Sequence, residues 1–396
     1  MHPSVDTDPL STPVNSMSTD GNNTPGYSAR HLEMETTMRT KAHALLTATL
    51  SVTTLAALAT GCVGEVGGGD ASRTRKPKTT DGTTEEGDCK QVNTPVTLRT
   101  AADLDQLPTT CWDLFATLRI EGSAVTSLAK LGKLTSVNDL EIVNTGLTTL
   151  DVVQPFDVWG AITVSGNSKL TSLDKLQLKD DADDLTTAYA IRSNAVLTGL
   201  GGLAYAKVIE GELRISDNAR LSAITFDELT SAGSVAITNN AVTSLDLGSL
   251  QQVGRIEISN NAQLATITGA AAAAIKGDLV FRGNRALTSL GSWSALNRVE
   301  GSLTIDDNDG LANLGSLAGM QYVTSSVTIT NNAAIAAIDA VSRLQGIGAS
   351  VLVTGNANLS NCRAMEIDHC VQSGTVTFNN NQPNTGGTNC PRCWCE

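Results

Sequence analysis

An asparagine returns along this chain at nearly constant intervals: Asn144, Asn167, Asn194, Asn218, Asn240, Asn261, Asn284, Asn308, Asn332, Asn356 and Asn381, with steps of 21 to 27 residues. A period of this length, repeated this often, is the mark of a solenoid in which one small unit is stacked many times. Each unit carries too little apolar surface to fold alone. Its buried face must be covered by the units before and after it.

Three units set the frame: Gly211-Glu-Leu213-Arg-Ile215-Ser-Asp-Asn218-Ala-Arg-Leu221-Ser-Ala-Ile224, Gly277-Asp-Leu279-Val-Phe281-Arg-Gly-Asn284-Arg-Ala-Leu287-Thr-Ser-Leu290, and Gly301-Ser-Leu303-Thr-Ile305-Asp-Asp-Asn308-Asp-Gly-Leu311-Ala-Asn-Leu314. Apolar residues alternate across Leu-x-Ile, the period of a strand with one face buried. The later Leu-x-x-Leu spacing turns the chain while keeping apolar groups inward. An amide at the corner between them can both donate to and accept from backbone groups left unpaired by the turn. Stacked in register, such amides also bond one another. The expected fold is a β-rich solenoid of about eleven to twelve coils of 21–27 residues, with one parallel sheet and an Asn ladder.

The frame varies locally. Ser123 stands at the Asn position of the first unit, and the second, Leu140-Glu-Ile142-Val-Asn144, reads as one residue short. The longest unit carries Lys179 to Asp184, an expected bulging loop, and Ala270 to Ala274 reads as a short helical or compact turn. Trp159 and Trp293 fall between strands, as core or corner residues.

The repeated frame resembles the receptor L-domain-like family, leucine-rich-repeat relatives found in receptor ectodomains and in bacterial surface lipoproteins, over roughly residues 89 to 396. The resemblance implies a binding or structural scaffold without catalysis, and it transfers no ligand.

The chain ends carry a different signal. Met38-Arg-Thr-Lys41 is a basic segment, and the apolar run Ala42 to Ala59 leads to Ala59-Thr-Gly-Cys62. This resembles a bacterial lipoprotein signal over residues 38–61, which implies that Cys62 becomes the lipidated N-terminus. Residues 1–37, polar and aperiodic, are expected to lie outside the mature protein, and residues 62–88, rich in Gly, Thr and charge, to form a tether. The expected location is the cell envelope, held by lipid at the outer membrane or cell surface.

The remaining cysteines, Cys89, Cys111, Cys362, Cys370, Cys390, Cys393 and Cys395, lie only at the two ends of the repeat array. An exported chain meets an oxidising compartment, so disulfides are expected. Cys89 and Cys111 are the pair expected to cap the first coil. Residues 362–396 form a Cys-rich C-terminal cap in which Cys362–Cys390 is favoured, although the connectivity of an odd set stays open.

Composition narrows the chemistry. A net charge of −13 argues against nucleic acid, whose binding rests on Lys and Arg. The one histidine after Cys62 is His369, beside Cys370. With Cys390, Cys393 and Cys395 it has the makings of a zinc set, but disulfides take precedence in an exported chain. No catalytic residue, metal or cofactor is assigned. Two acidic groups, Asp180 to Asp184 and Asp306-Asp307 with Asp309, have the clustered oxygens that calcium prefers, or are solvated loops.

Recognition would use the outward positions between the buried pair of each strand: Arg119, Glu141, Thr163, Ala190, Arg214, Ala236, Glu257, Val280, Thr304, Thr328, Leu352 and Thr377. The face is mixed in character, and aromatics, the usual anchors of tight sites, are 3% of the chain. The expected function is a non-enzymatic, lipid-anchored scaffold for recognition, adhesion or envelope organisation, with a surface protein or glycan as partner. A carbohydrate-active enzyme on a parallel β-helix and a purely structural envelope protein remain as alternatives.

Overall fold

A computed structural model describes residues 89–383 except 153, 155, 174–187, 202–205 and 373. The signal segment, Cys62, the tether, the Lys179–Asp184 loop, and Cys390, Cys393 and Cys395 lie outside the described residues. The side chain of His369 does too.

The alternation in the frame becomes a parallel sheet running the length of the array. Leu213 and Ile215 pair in register with Val235 and Ile237, these with Ile256 and Ile258, then with Leu279 and Phe281, Leu303 and Ile305, Val327 and Ile329, and Val351 and Val353. Earlier strands continue the same rows through Leu118 and Ile120, Leu140 and Ile142, and Ile162 and Val164. The result is a parallel β-solenoid of about twelve coils. The inward side chains form one continuous apolar core. Opposite the main sheet, the Leu-x-x-Leu segments make a second, shorter contact. Ala223–Thr225, Ser244–Asp246 and Thr266–Thr268 pair there as a three-stranded parallel sheet, and Leu221, Ile224, Leu245, Leu264 and Ile267 point inward.

The leading glycine of the frame has a steric cause. Where the strand bends, successive coils approach so closely that a Cβ on Gly254 would lie 2.0 Å from the Gly233 carbonyl oxygen. Just before the ladder, the backbone enters the left-handed region in coil after coil. Asp217 has φ +60°, Asn239 +57°, Asn260 +57°, Asp307 +54° and Asn331 +56°, and Gly166, Gly283 and Gly355 occupy the same position. Gly, Asn and Asp tolerate that conformation best.

That position corrects one expectation. Asn144 is not a ladder residue: it is exposed and takes the left-handed place, φ +52°. Thr145 takes the buried one, so the second unit is full length after all. The Thr145 backbone N–H and hydroxyl both donate to Asn167 Oδ1, at 2.9 and 2.7 Å. Two residues of similar turn preference stand side by side, and only their place in the turn separates their roles.

From Asn167 onward the ladder is continuous. Asn167, Asn194, Asn218, Asn240, Asn261, Asn284, Asn308, Asn332, Asn356 and Asn381 are all buried. In each interior step the side-chain oxygen accepts the backbone N–H of the preceding Asn, as Asn261 Oδ1 does from Asn240 at 2.9 Å. The same amide nitrogen donates to a strand carbonyl of the preceding coil, as Asn261 Nδ2 does to Ile237 O at 2.9 Å. Buried polar groups need such partners. Here the partner of each amide lies in a neighbouring coil, so the ladder couples the stack.

The ends are closed by local devices. Cys89 and Cys111 are disulfide-bonded across 22 residues, as expected. A one-turn helix, Ala101–Leu104, follows with a capping box between Thr100 and Asp103. The Asp103 carboxyl, accepting from the Arg99 and Thr100 backbone N–H groups, is held below its usual range. At the other end, Cys362 is disulfide-bonded, with a partner outside the described residues, where Cys390 lies. Cys370 is a buried thiol aimed at the Ser342 carbonyl oxygen, 3.5 Å away.

Two smaller expectations also resolve. Ala270 to Ala274 forms no helix. It is irregular chain leading into Ala274–Ile275, with Ala270 and Ala272 inward. Small residues suit this side because Trp293 of the next coil fills the space: a Cβ on Gly269 would sit 2.9 Å from its ring. Trp293 is fully buried against Phe281, with centroids 5.9 Å apart, and donates from Nε1 to Leu290 O. Trp159 is half-buried and packs on Phe115 at 5.5 Å.

Candidate functional site

With apolar and Asn side chains committed inward, the outward side of the main sheet is the surface available for recognition. Its central row is in unbroken register from Thr97 through Arg119, Glu141, Thr163, Ala190, Arg214, Ala236, Glu257, Val280, Thr304, Thr328 and Leu352 to Thr377. Parallel pairing sets these positions about 4.7–4.9 Å apart across strands, and outward positions along one strand about 6.6–6.8 Å apart. The register therefore aligns every position expected to form the face.

Charge is unevenly distributed on this surface. At the N-terminal end, Arg99 meets Glu121 at 2.7 Å, Glu121 meets Arg119 at 2.5 Å, and Arg119 also bonds Glu141. The hydrogen bond from Arg119 holds the Glu121 carboxyl below the ordinary range, and its bonds to Glu121 and then Glu141 raise the Arg119 guanidinium. In the middle coils Arg214 faces Glu212 at 3.5 Å, and Arg255 lies 2.9 Å from Glu257 and 3.6 Å from Asp278. Arg282 reaches Asp306 at 3.1 Å. These exposed pairs contribute little stability, but they neutralise the face in place.

The second acidic group is drawn into the same pattern. Thr330 Oγ1 donates to Asp306 at 2.6 Å, and Arg285 pairs with Asp307 at 3.0 Å and Asp309 at 3.8 Å. The Asp307 hydrogen bond raises the Arg285 guanidinium above its ordinary value. These carboxylates face arginines rather than converging on a shared oxygen cage. Among the described residues, no group of three or more His, Cys, Asp or Glu side chains is placed to hold a metal.

Beyond Thr304 the central face changes character. Ser326, Thr328 and Thr330, then Ser350, Leu352 and Thr354, then Thr375, Thr377 and Asn379 carry no formal charge. Beside them the sheet opens into a cleft of about 330 Å³ around Tyr322, Gly346, Gly348 and Gln372. Sequence reading did not find this cleft. The available signal was the replacement of Arg298-Val-Glu300 and Tyr322-Val-Thr324 by Gly346-Ile-Gly348 at the same register.

No family model, curated protein or solved structure matches this chain.

Proposed function

We propose that the protein is a non-enzymatic recognition or adhesion scaffold of the cell envelope, anchored by a lipid on Cys62, with the outward sheet face as its contact surface. The observation that carries the reading is the aligned central row from Thr97 to Thr377, whose side chains point away from a core already complete without them. A stiff, regular surface of this kind suits extended contact, because little ordering entropy is lost on binding. The face carboxylates of the N-terminal and middle coils are engaged by arginines, which supports binding over acid–base chemistry. The sequence around Ala59-Thr-Gly-Cys62 supports the anchor.

Metabolic palmitate labelling tests the anchor: wild type should incorporate label and Cys62→Ala should not. Attachment of expressing cells to surfaces and to one another tests the face. Arg214→Glu and Glu257→Lys should reduce attachment at equal surface display. Unlabelled wild-type protein would remove the anchor from the proposal, and unchanged attachment in both face variants would favour a purely structural envelope role.

A further inference from the structure

We infer that residues 384–396, tied back through a disulfide of Cys362, close the C-terminal end of the stack as a reduction-sensitive latch. They cover the last inward side chains and a strand edge with which a second copy of the chain would otherwise pair. No sheet-face ligand is involved, and the test is independent of palmitate labelling and cell attachment.

The two ends of the array are finished differently. At the first coil Leu98, Leu104 and Trp112 are buried, and the Cys89–Cys111 bridge and the helix Ala101–Leu104 stand at that end. At the last coil Val376 and Phe378 take the inward positions of the strand Val376–Asn379, in register with Val351 and Val353. Val351 and Val353 are 1% and 0% exposed, whereas Val376 and Phe378 are only half-buried. Among the described residues this strand pairs on one side alone, with Val351–Thr354. The carbonyls of Thr375 and Asn379 accept from the Val351 and Gly355 N–H groups, so they face the stack. Backbone groups alternate in direction along a strand, and the N–H and C=O groups of Val376 and Phe378 therefore point off the end. Near the same end, Asn361 Oδ1 is buried without a hydrogen-bond partner, which a closed end would be expected to supply.

Where the chain leaves this end indicates what covers it. The Gln382 N–H donates to Leu359 O at 2.9 Å, and Gln382 O accepts from Asn361 N–H at 3.2 Å, so the path out past Pro383 starts beside Cys362. Cys362 is disulfide-bonded to a cysteine outside the described residues. Cys390, Cys393 and Cys395 follow Pro383 by seven, ten and twelve residues. A disulfide holds its two Cα atoms about 4.4–6.8 Å apart. A segment that starts beside Cys362 and returns to it is a closed loop. At about 3.5 Å per residue it reaches at most about 12 Å from its root if closed at Cys390, and about 21 Å if closed at Cys395. The strand Val376–Asn379 is about 13 Å long, so such a loop can cross it. Trp394, between Cys393 and Cys395, is the one large apolar side chain of residues 384–396. Burying an aromatic of that size against Val376 and Phe378 supplies the driving force.

The closure opens by thiol–disulfide exchange. One thiolate of a dithiol reductant attacks a sulfur of the Cys362 bridge, and its second thiol then displaces the first. Two cysteine thiols and one oxidised reductant result. An uncovered edge presents unpaired N–H and C=O groups beside apolar side chains, the usual template for pairing between chains. Two copies can meet there about a two-fold axis, with their last strands antiparallel and both Phe378 rings covered. An intact bridge keeps the molecule monomeric, and reduction exposes the dimerising edge.

The test begins with the full chain. Non-reduced peptide mapping should link Cys362 to Cys390, Cys393 or Cys395, and a link to Cys62 would overturn the latch. Hydrogen exchange over Val376–Asn379 and sedimentation are then compared in three forms: oxidised protein, protein treated with dithiothreitol, and a Cys362→Ser chain ending at Pro383. The oxidised chain should be monomeric. Its Val376 and Phe378 amides should exchange at least about tenfold more slowly than in the other two forms at low concentration. Both of those forms should dimerise as concentration rises. Dithiothreitol also opens Cys89–Cys111, so the comparison is repeated in Cys89→Ser with Cys111→Ser, and a reduction response that disappears there overturns the assignment to Cys362. Melting curves report folding, and the dithiothreitol arm decides if the shortened chain does not fold. Equal exchange in all three forms would mean that the tail does not cover the end. An oxidised chain that is already dimeric, with protection that survives shortening, would make a second copy the native occupant and overturn the latch.

Discussion

Removing one rung of the ladder gives the sharpest stability contrast. Asn261 is fully buried, and its side chain makes two short bonds to the preceding coil. It accepts from Asn240 N at 2.9 Å and donates to Ile237 O at 2.9 Å. Its Nδ2 contact with Asn284 Oδ1 is longer, 3.4 Å. Asn261→Ala deletes both short bonds and leaves a buried N–H and a buried carbonyl behind. Each unsatisfied group costs about 1–3 kcal/mol, so the two together should cost roughly 2–6 kcal/mol. Small movements of the chain that admit water would bring the loss toward the lower figure. Asn144→Gly is the control. Asn144 is exposed and sits at φ +52°, a conformation that glycine adopts freely. Its expected change is within about 0.5 kcal/mol, as for a surface site. The assay is equilibrium urea unfolding, with native-state hydrogen exchange at the Asn240 amide as a local readout, because repeat arrays lose cooperativity and a perturbation stays near its coil. Equal midpoints for Asn261→Ala and Asn144→Gly, with unchanged protection at Asn240, would refute the reasoning.

Other perturbations follow from the same geometry. Cys89→Ser with Cys111→Ser opens a 22-residue loop, and should lower stability by about 3 kcal/mol in urea unfolding under oxidising conditions. Gly254→Ala forces a Cβ to within 2.0 Å of the Gly233 carbonyl oxygen, and the overpacking should cost about 1–3 kcal/mol by the same method. The pH dependence of the N-terminal coils should follow Glu121, whose folded pKa lies below its ordinary value. A lowered folded pKa means that the contribution is present above the unfolded value and is lost as pH falls through the folded one. Protection factors in Trp112–Glu121, which remove the intrinsic slowing of amide exchange in acid, should therefore fall as pH drops below Glu121's ordinary range in wild type, and Glu121→Gln should flatten that dependence.

Much of this architecture could be read before any coordinates. Period, strand alternation and inward corner amides are each repeated many times, so a local exception does not hide the pattern. The outward row from Arg119 to Thr377 followed from alternation alone, since strand side chains have a strict period of two. Asn144 departs from the repeated pattern because its coil places Asn at the left-handed position and Thr145 at the buried one. Both positions favour small polar residues, so type alone does not separate them. The glycine cleft escaped notice for another reason. Gly346 and Gly348 stand at positions outside the apolar frame, and the contacts that demand glycine there, with Gln372 and with the Thr324 carbonyl oxygen, come from neighbouring coils and leave no mark on apolar periodicity. Ion pairs such as Arg119 with Glu121 and Glu141 depend on rotamers across neighbouring coils, which spacing does not specify.

The central claim is a continuous column of buried amides joining one coil to the next. Selective 15N labelling of asparagine side chains, followed by solvent exchange of their NH2 groups, tests it directly. Among the described residues, the ten buried asparagines from Asn167 to Asn381 should exchange slowly, while exposed Asn144 exchanges at the rate of free amide. Rapid, uniform exchange across both sets would contradict the ladder and the stacked fold built on it.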